Sequence, residues 1–219
     1  DANIFNAKQQ NIAAYISNEF NFSEKFKSII GLRLEDYQVF YTGENSQLGQ
    51  VFNNENIISN MNLFPSVNII YNLKENKNLR LAYSLTTARP SFKEASIAEI
   101  FDPLSNLFFI GNIDIRPTYI DNFDIRYEAF SENAQLFAIS AFYKNLTDPI
   151  EIAFVAASFS NYKPLNLETA NVFGLEIELR KDLSTLFSML EHWRINFNGS
   201  YIISDEKYSE DELKLRRLG

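Results

Sequence analysis

The sequence predicts an all-β chain, an antiparallel up-and-down meander of about eight strands arranged as four hairpins. Three observations carry this. Apolar and polar residues alternate with period two in segment after segment, which gives a strand two unlike faces. Most of the alternating segments pair through short polar connections. Successive pairs begin about fifty residues apart, with long connections between them and no shared sequence repeat.

The first pair covers roughly 11–21 and 26–41 and turns through Ser23-Glu24-Lys25. The second covers 62–73 and 79–88, turning through Lys74-Glu75-Asn76-Lys77-Asn78. Its odd positions Leu63, Pro65, Val67, Ile69, Tyr71 and Leu73 make one face; Leu79, Leu81, Tyr83 and Leu85 then oppose Arg80, Ala82, Ser84 and Thr86. The third pair, 118–130 and 135–147, turns at Ser131-Glu132-Asn133 and shows the clearest alternation, with Phe123, Ile125, Tyr127 and Ala129 against Asn122, Asp124, Arg126 and Glu128. The fourth covers 168–181 and 192–204. Here Phe173, Leu175, Ile177 and Leu179 oppose Val172, Gly174, Glu176, Glu178 and Arg180. Trp193, Ile195, Phe197, Tyr201 and Ile203 oppose Arg194, Asn196, Asn198, Ser200 and Ser204. Its connector, Asp182 to Glu191, is longer and carries Leu183, Leu186, Phe187, Met189 and Leu190, so it is a turn of helix or an apolar flap. The long connections are 42–61, 89–117 and 148–167, with a fourth beginning near Asp205.

Composition excludes several kinds of chemistry. The 219 residues include 20 Phe and 11 Tyr, but no Cys and one His. There is no disulfide framework and no thiolate nucleophile. A lone His192 excludes multi-His metal sites and most His-based acid–base catalysis. A net charge of −8 lacks the basic footprint that nucleic acid requires. No apolar run reaches the roughly 18 residues of a spanning helix. Asp1-Ala2-Asn3 opens without the charged and apolar regions of a signal peptide.

Strict alternation of short and long connections places every short turn at one end of the meander and every long loop at the other. Outer-membrane barrels have short periplasmic turns, long outer loops, and strands apolar outside and polar inside. Sandwiches mix their connections at both ends. Expected strands of ten or more residues also exceed the usual five or six of globular sheets. The chain is therefore expected to be part of an outer-membrane β-barrel wall. The alternative is a complete small β-barrel or soluble β-sandwich acting as a ligand-binding or adhesion module.

Four stretches, in order, resemble TonB-dependent outer-membrane receptors of the Bacteroidetes type. Leu85-Thr86-Thr87-Ala88-Arg89-Pro90-Ser91-Phe92-Lys93-Glu94 is similar to a strand end that enters an outer loop in that family. Gly111-Asn112 and Arg116-Pro117 then precede the strand Asn122–Glu128. Phe142–Ile150 resembles a further strand end, and Asn171-Val172-Phe173-Gly174-Leu175-Glu176-Ile177-Glu178 a further strand. The resemblance covers about residues 60–204. It implies that residues 1–219 are an internal fragment of a transmembrane barrel domain of about twenty-two strands, without its plug domain. It also implies a bacterial outer-membrane location and uptake of a metal chelate, vitamin or glycan. The implied partners are outer-membrane lipid, the cargo and, through the intact receptor, the TonB complex and plug; the fragment itself is expected to self-associate.

The candidate ligand-binding residues at the lumen or rim are Arg89, Arg116, Arg126, Glu128 and Glu176. Arg89 precedes Pro90, which holds it extended, and it either meets an anionic ligand or the plug, or simply ends the strand and packs the loop. Asp124, Glu128, Glu176 and Glu178 share polar faces with Arg126 and Arg180, a pattern that solvates a face; no nucleophile, base and orienter occur together, so no catalytic residue and no enzyme is expected. No cofactor or metal is expected either. His192 beside Trp193 suits a bilayer interface better than a metal. The acidic residues Asp205, Glu206, Glu210, Asp211 and Glu212 lack the spacing and Gly of a calcium loop. Tyr15, Phe20, Phe40, Tyr41, Tyr71, Tyr83, Tyr143, Trp193 and Tyr201 are expected in interface girdles or, in a soluble fold, in a core. The apolar loop 89–117 is expected to pack on neighbouring loops or a ligand.

Overall fold

The computed structural model describes residues 4–45, 49–131, 135–154, 161–183, 189 and 192–207. The turn at 132–134, most of the apolar connector (184–188, 190 and 191) and the acidic residues Glu210, Asp211 and Glu212 lie outside the described residues. The strands are β1 (Phe5–Asn21), β2 (Phe26–Asn45), β3 (Gln50–Lys74), β4 (Lys77–Ala88), β5 (Glu99–Asp102), β6 (Leu107–Ile110), β7 (Thr118–Ser131), β8 (Gln135–Thr147), β9 (Ile150–Phe154), β10 (Asn161–Asn166), β11 (Thr169–Asp182) and β12 (Arg194–Lys207). Eight form one open antiparallel sheet in the order β1-β2-β3-β4-β7-β8-β11-β12; the other four form a second sheet, β5-β6-β10-β9.

The pleat of the large sheet sorts its residues as the alternation predicts. Ile125 of β7 lies opposite Leu81 and Ala141, and Ile177 of β11 lies opposite Ile139 and Gly199, so apolar side chains form rows across neighbouring strands. These rows are open to their surroundings: Ile30, Leu32, Leu34, Phe123, Ile125, Ile139, Leu175 and Phe197 are each between 41% and 51% exposed. One row is aromatic, with Tyr83, Phe123, Tyr143 and Phe173 in register and ring centroids 5.0 and 6.2 Å apart along its first three members. The next outward row towards the long loops is polar, Asp121, Asn145 and Asn171 in register, and the Tyr83 and Tyr143 hydroxyls donate to Asp121 and Asn171 at 2.8 and 2.7 Å. From Asp121 to Ser131, where β7 ends, the ten-residue rise is roughly 33 Å of strand. Tilted by about 40°, that length spans about 25 Å, the height of an outer-membrane apolar band.

The expected long connection 42–61 is corrected by the structure. β2 runs to Asn45 and β3 starts at Gln50, so most of that segment is strand, in elements of 20 and 25 residues. Asn and Glu fall on both faces of 50–60, which hides period two; only Ile58 of that segment is buried, so no continuous apolar row is required of it. Two register shifts, between Val39 and Phe40 and between Tyr41 and Gly43, break the pattern further. At the second, Asn54 takes φ of +52° and its N–H donates to the Thr42 hydroxyl at 2.9 Å.

The other two long connections carry strands too. β5 and β6 arise from 89–117 and β9 and β10 from 148–167, joined by the parallel β6–β10 pair. This layer packs on the polar side of the large sheet, where Tyr37 and Val39 share the face of Arg33 and Glu35. Ala95 and Ile115 of the first loop join Tyr37, Val39 and Ile58 in a buried cluster. Tyr41, expected in a girdle, is fully buried beneath the same layer, and its hydroxyl accepts the Ile97 N–H at 3.4 Å. Tyr15 likewise leaves the apolar side, since it lies opposite Arg33. Burial pushes the Tyr41 phenol above its ordinary pKa.

The β3–β4 ladder stops early. Its last pair is Ser66 with Ser84, although β4 continues to Ala88 and β3 extends back to Gln50. Pro65, with no N–H to give, lies one residue beyond that pair. Above it the sheet opens in a wedge.

Gly111 closes the loop layer against Ser96: its N–H donates to the Ala98 carbonyl at 2.9 Å, and a Cβ there would collide with the Ser96 backbone carbonyl. Gly111→Ala is expected to cost about 1–3 kcal/mol by overpacking. In detergent, the check is a lower denaturation midpoint together with faster protease cleavage within 89–117.

Candidate functional site

On the polar side, charge runs across the sheet as a connected ladder. Arg80 and Arg126 lie directly opposite each other on β4 and β7, a repulsive placement. Glu128 resolves it, taking Arg80 Nε at 2.6 Å and Arg126 Nε at 3.1 Å while its own side chain is only 6% exposed. Glu128 and Glu178 flank Ala138 in the register, and that small residue leaves room for Arg126 to reach from β7 over β8 to β11. Arg126 there meets Glu178 at 3.0 Å and donates to the Ser140 hydroxyl at 3.0 Å; Arg180 meets the other Glu178 oxygen at 2.7 Å.

Glu176 sits beside this ladder, opposite Ser140 and Ser200, and is exposed. Among the described residues it has no ion pair or hydrogen bond. It borders a recess of about 280 Å³ together with Arg126, Glu178, Asn198 and Ser200. Of the five expected residues, then, the structure gathers Arg126, Glu128 and Glu176 on one face.

Arg89 and Arg116 lie apart from it, at the base of the loop layer. Arg89 pairs with Glu35, which also accepts Arg33 Nε at 2.8 Å, and its guanidinium stacks 4.0 Å over the Tyr37 ring. Burial opposes the Arg89 charge and pulls its pKa down from the usual range. The contacts hold the start of the first long loop against β2. Arg116 pairs with Asp148 at 2.6 Å and exchanges hydrogen bonds with Asn166, its N–H donating to Oδ1 and its carbonyl accepting from Nδ2, both at 2.9 Å. This ties the first loop to the second. Its side chain is nevertheless 65% exposed.

Sequence reading missed Arg33, Glu35 and Tyr37. The signal was present: they alternate with Leu32, Leu34 and Asp36 in β2 as Arg126 and Glu128 alternate with Ile125 and Tyr127 in β7. It missed the Tyr119 bond to Asn62, at 3.2 Å across the wedge, because that contact depends on where β4 departs. His192 is exposed and Trp193 is 66% exposed. Among the described residues no group of three His, Asp or Glu gathers as a metal site.

A long-stranded antiparallel wall, with aromatic and polar rows outside and a charge ladder inside, is a structure made to cross a bilayer with strands. The chain belongs to the Outer membrane protein beta-barrel family, whose pattern matches residues 1–216, and its place is the bacterial outer membrane. No curated protein matches it. Among solved structures it is similar to the copper transporter OprC (15% identity, TM-score 0.71, 91% of this chain and 30% of that one). It is similar also to the siderophore receptor PirA from Pseudomonas aeruginosa (17% identity, TM-score 0.66, 90% of this chain and 32% of that one). A third is the FrpB iron transporter from Neisseria meningitidis (14% identity, TM-score 0.61, 95% of this chain and 28% of that one). The chain thus spans about a third of the length of these solved chains.

Glu128→Gln keeps shape but removes the charge that two guanidiniums share. An expected cost of about 1–3 kcal/mol follows, less than for a fully buried pair because Arg80 and Arg126 are partly solvated. Glu176→Gln should stay within about 0.5 kcal/mol of the parent. Urea midpoints of both variants in detergent check the contrast, and equal midpoints would remove the ladder's structural role.

Proposed function

We propose that the chain is one part of the barrel of a TonB-dependent outer-membrane receptor that imports a scarce nutrient, a metal chelate, a vitamin or a glycan. The observation that carries this reading is an open wall with long edge strands. Among the described residues β1 and β12, of 17 and 14 residues, each have a single neighbour in the sheet, while the whole wall follows about a third of the solved transporter and receptor chains. A sheet in lipid cannot leave such edges unpaired, so further strands complete it. The four motif stretches, from Arg89-Pro90-Ser91-Phe92 to Gly174-Leu175-Glu176, support the same assignment.

In this reading the loop layer of β5, β6, β9 and β10 stands at the outer mouth and helps capture cargo. The ladder Arg80–Glu128–Arg126–Glu178–Arg180, with Glu176 beside it, faces the lumen and meets the plug. Energy reaches the plug through TonB, and plug movement opens the polar path. The chain contributes wall and loops and carries no catalytic step. The sandwich alternative requires a second sheet over the apolar side, whereas the four-stranded sheet lies on the polar side.

Two measurements test the proposal. In cells producing the protein encoded by the whole gene, uptake of its nutrient should stop when TonB is deleted while surface binding persists; TonB-independent uptake overturns the reading. At the level of this chain, Ile125→Arg places a charge mid-band on the outward face and should lower folding stability in lipid vesicles by about 2–4 kcal/mol.

A further inference from the structure

The wedge between β3 and β4 opens into a cleft of about 400 Å³ at the mouth. One wall is β3 itself, Ile57 to Asn60; the other is the loop segment Ile113 to Pro117 with Asp148. Residues 57–60 have β2 on one side only, and β4 pairs with β3 no higher than Ser66. Among the described residues no backbone hydrogen bond reaches their other edge. In an antiparallel strand every second residue directs its N–H and C=O to that edge. The cleft therefore presents a short row of unfilled main-chain donors and acceptors.

Its remaining chemistry is mixed. Ile57, Ile113 and Pro117 supply apolar surface, and Ile58 and Ile115 are buried behind it. Arg116 stands at the rim between two carboxylates of the lining, Asp148, which takes its Nη2, and Asp114; among the described residues its Nε and Nη1 have no partner. A planar guanidinium offers five N–H donors in a fork suited to a carboxylate. Tyr119, the one aromatic residue of the cleft, has its hydroxyl committed to Asn62.

We propose that this cleft docks an extended peptide, which adds to the free edge of β3 at 57–60 and presents a carboxylate to Arg116. Strand addition draws affinity from main-chain hydrogen bonds and specificity from side pockets. The cleft has the volume for a few residues of extended chain, and its decisive wall is backbone, which favours a peptide over a sugar. The proposal deepens the receptor reading, on which it rests for the sense of a binding site at the mouth, by naming a ligand class.

The test is fluorescence anisotropy on the full chain in detergent, with no energy source. The probe is a labelled hexapeptide of Ser, Thr and Val with a free C-terminal carboxylate. Two analogues carry N-methyl groups on alternate residues, one in each phase, and maltohexaose is the competitor. One phase removes the N–H groups that meet β3 and should weaken binding about tenfold or more; the other should stay within about threefold. Asn60→Trp, which fills the cleft, should weaken the parent peptide about tenfold with the β-sheet circular dichroism unchanged, and Arg116→Gln should erase the preference for a free carboxylate over an amide. No peptide binding, equal effects of both methylation phases, or displacement by maltohexaose each overturns the proposal. The methylation contrast decides even if Asn60→Trp fails to fold. None of these outcomes bears on TonB-dependent uptake, so the two readings fail separately.

Discussion

Everything in this structure depends on an uninterrupted hydrogen-bonded ladder from β1 to β12. Hydrocarbon offers a peptide group no partner, so a strand can enter a bilayer only if both its edges are paired. Pairing fixes the register, and because the side-chain period is two, the register decides which surface every residue meets. A one-residue slip of β7 would turn Arg126 and Glu128 to lipid and Ile125 to the charge ladder. The match of Ile125 with Leu81 and Ala141, and of Arg126 with Arg80 and Ser140, is thus set by both surfaces at once.

The charge ladder follows from the same constraint. Side chains on the polar face cannot choose their neighbours, and the register puts Arg80 against Arg126. Placing Glu128 and Glu178 one step along, with Ala138 between them, turns a repulsion into a run of shared carboxylates. Three guanidiniums and two carboxylates leave one positive charge along the run, with the exposed carboxylates of Asp124 and Glu176 close by. Such a face has its donors largely satisfied within the sheet.

The wall was legible in the sequence because lipid and lumen impose opposite chemistry on alternate residues. Strands β4, β7, β8, β11 and β12 lie within a few residues of their expected bounds for that reason. The upper halves of β2 and β3 were not legible, since polar residues occupy both faces of 50–60 and two register shifts break the period. β5, β6, β9 and β10 are four to six residues long and take their order from a parallel contact between distant loops, which no local pattern encodes. Arg126, Glu128 and Glu176 were found together because they share a strand face. Arg89 was found by its place before Pro90, but its partners Glu35 and Tyr37 sit some fifty residues away and are joined to it only by the fold.

Where the ladder stops, the bilayer must be near its end. Outward polar residues fix that level independently: Asp121, Asn145 and Asn171 share one row, and on β2 the outward series Ile30, Leu32, Leu34 changes to Asp36 and Gln38. Ser84, the last β4 residue paired with β3, is opposite Asn122, one step below Asp121. On β7 the wedge thus opens within a residue or two of the polar row, while on β3 the outward Leu63, opposite Leu34, still lies beyond the last pair. Pro65 is suited to that height because it brings no N–H, and Tyr119 closes the gap with a side-chain bond to Asn62. Below that level an unpaired edge is forbidden by lipid. Above it the edge is permitted, and the protein leaves it open beside a cleft.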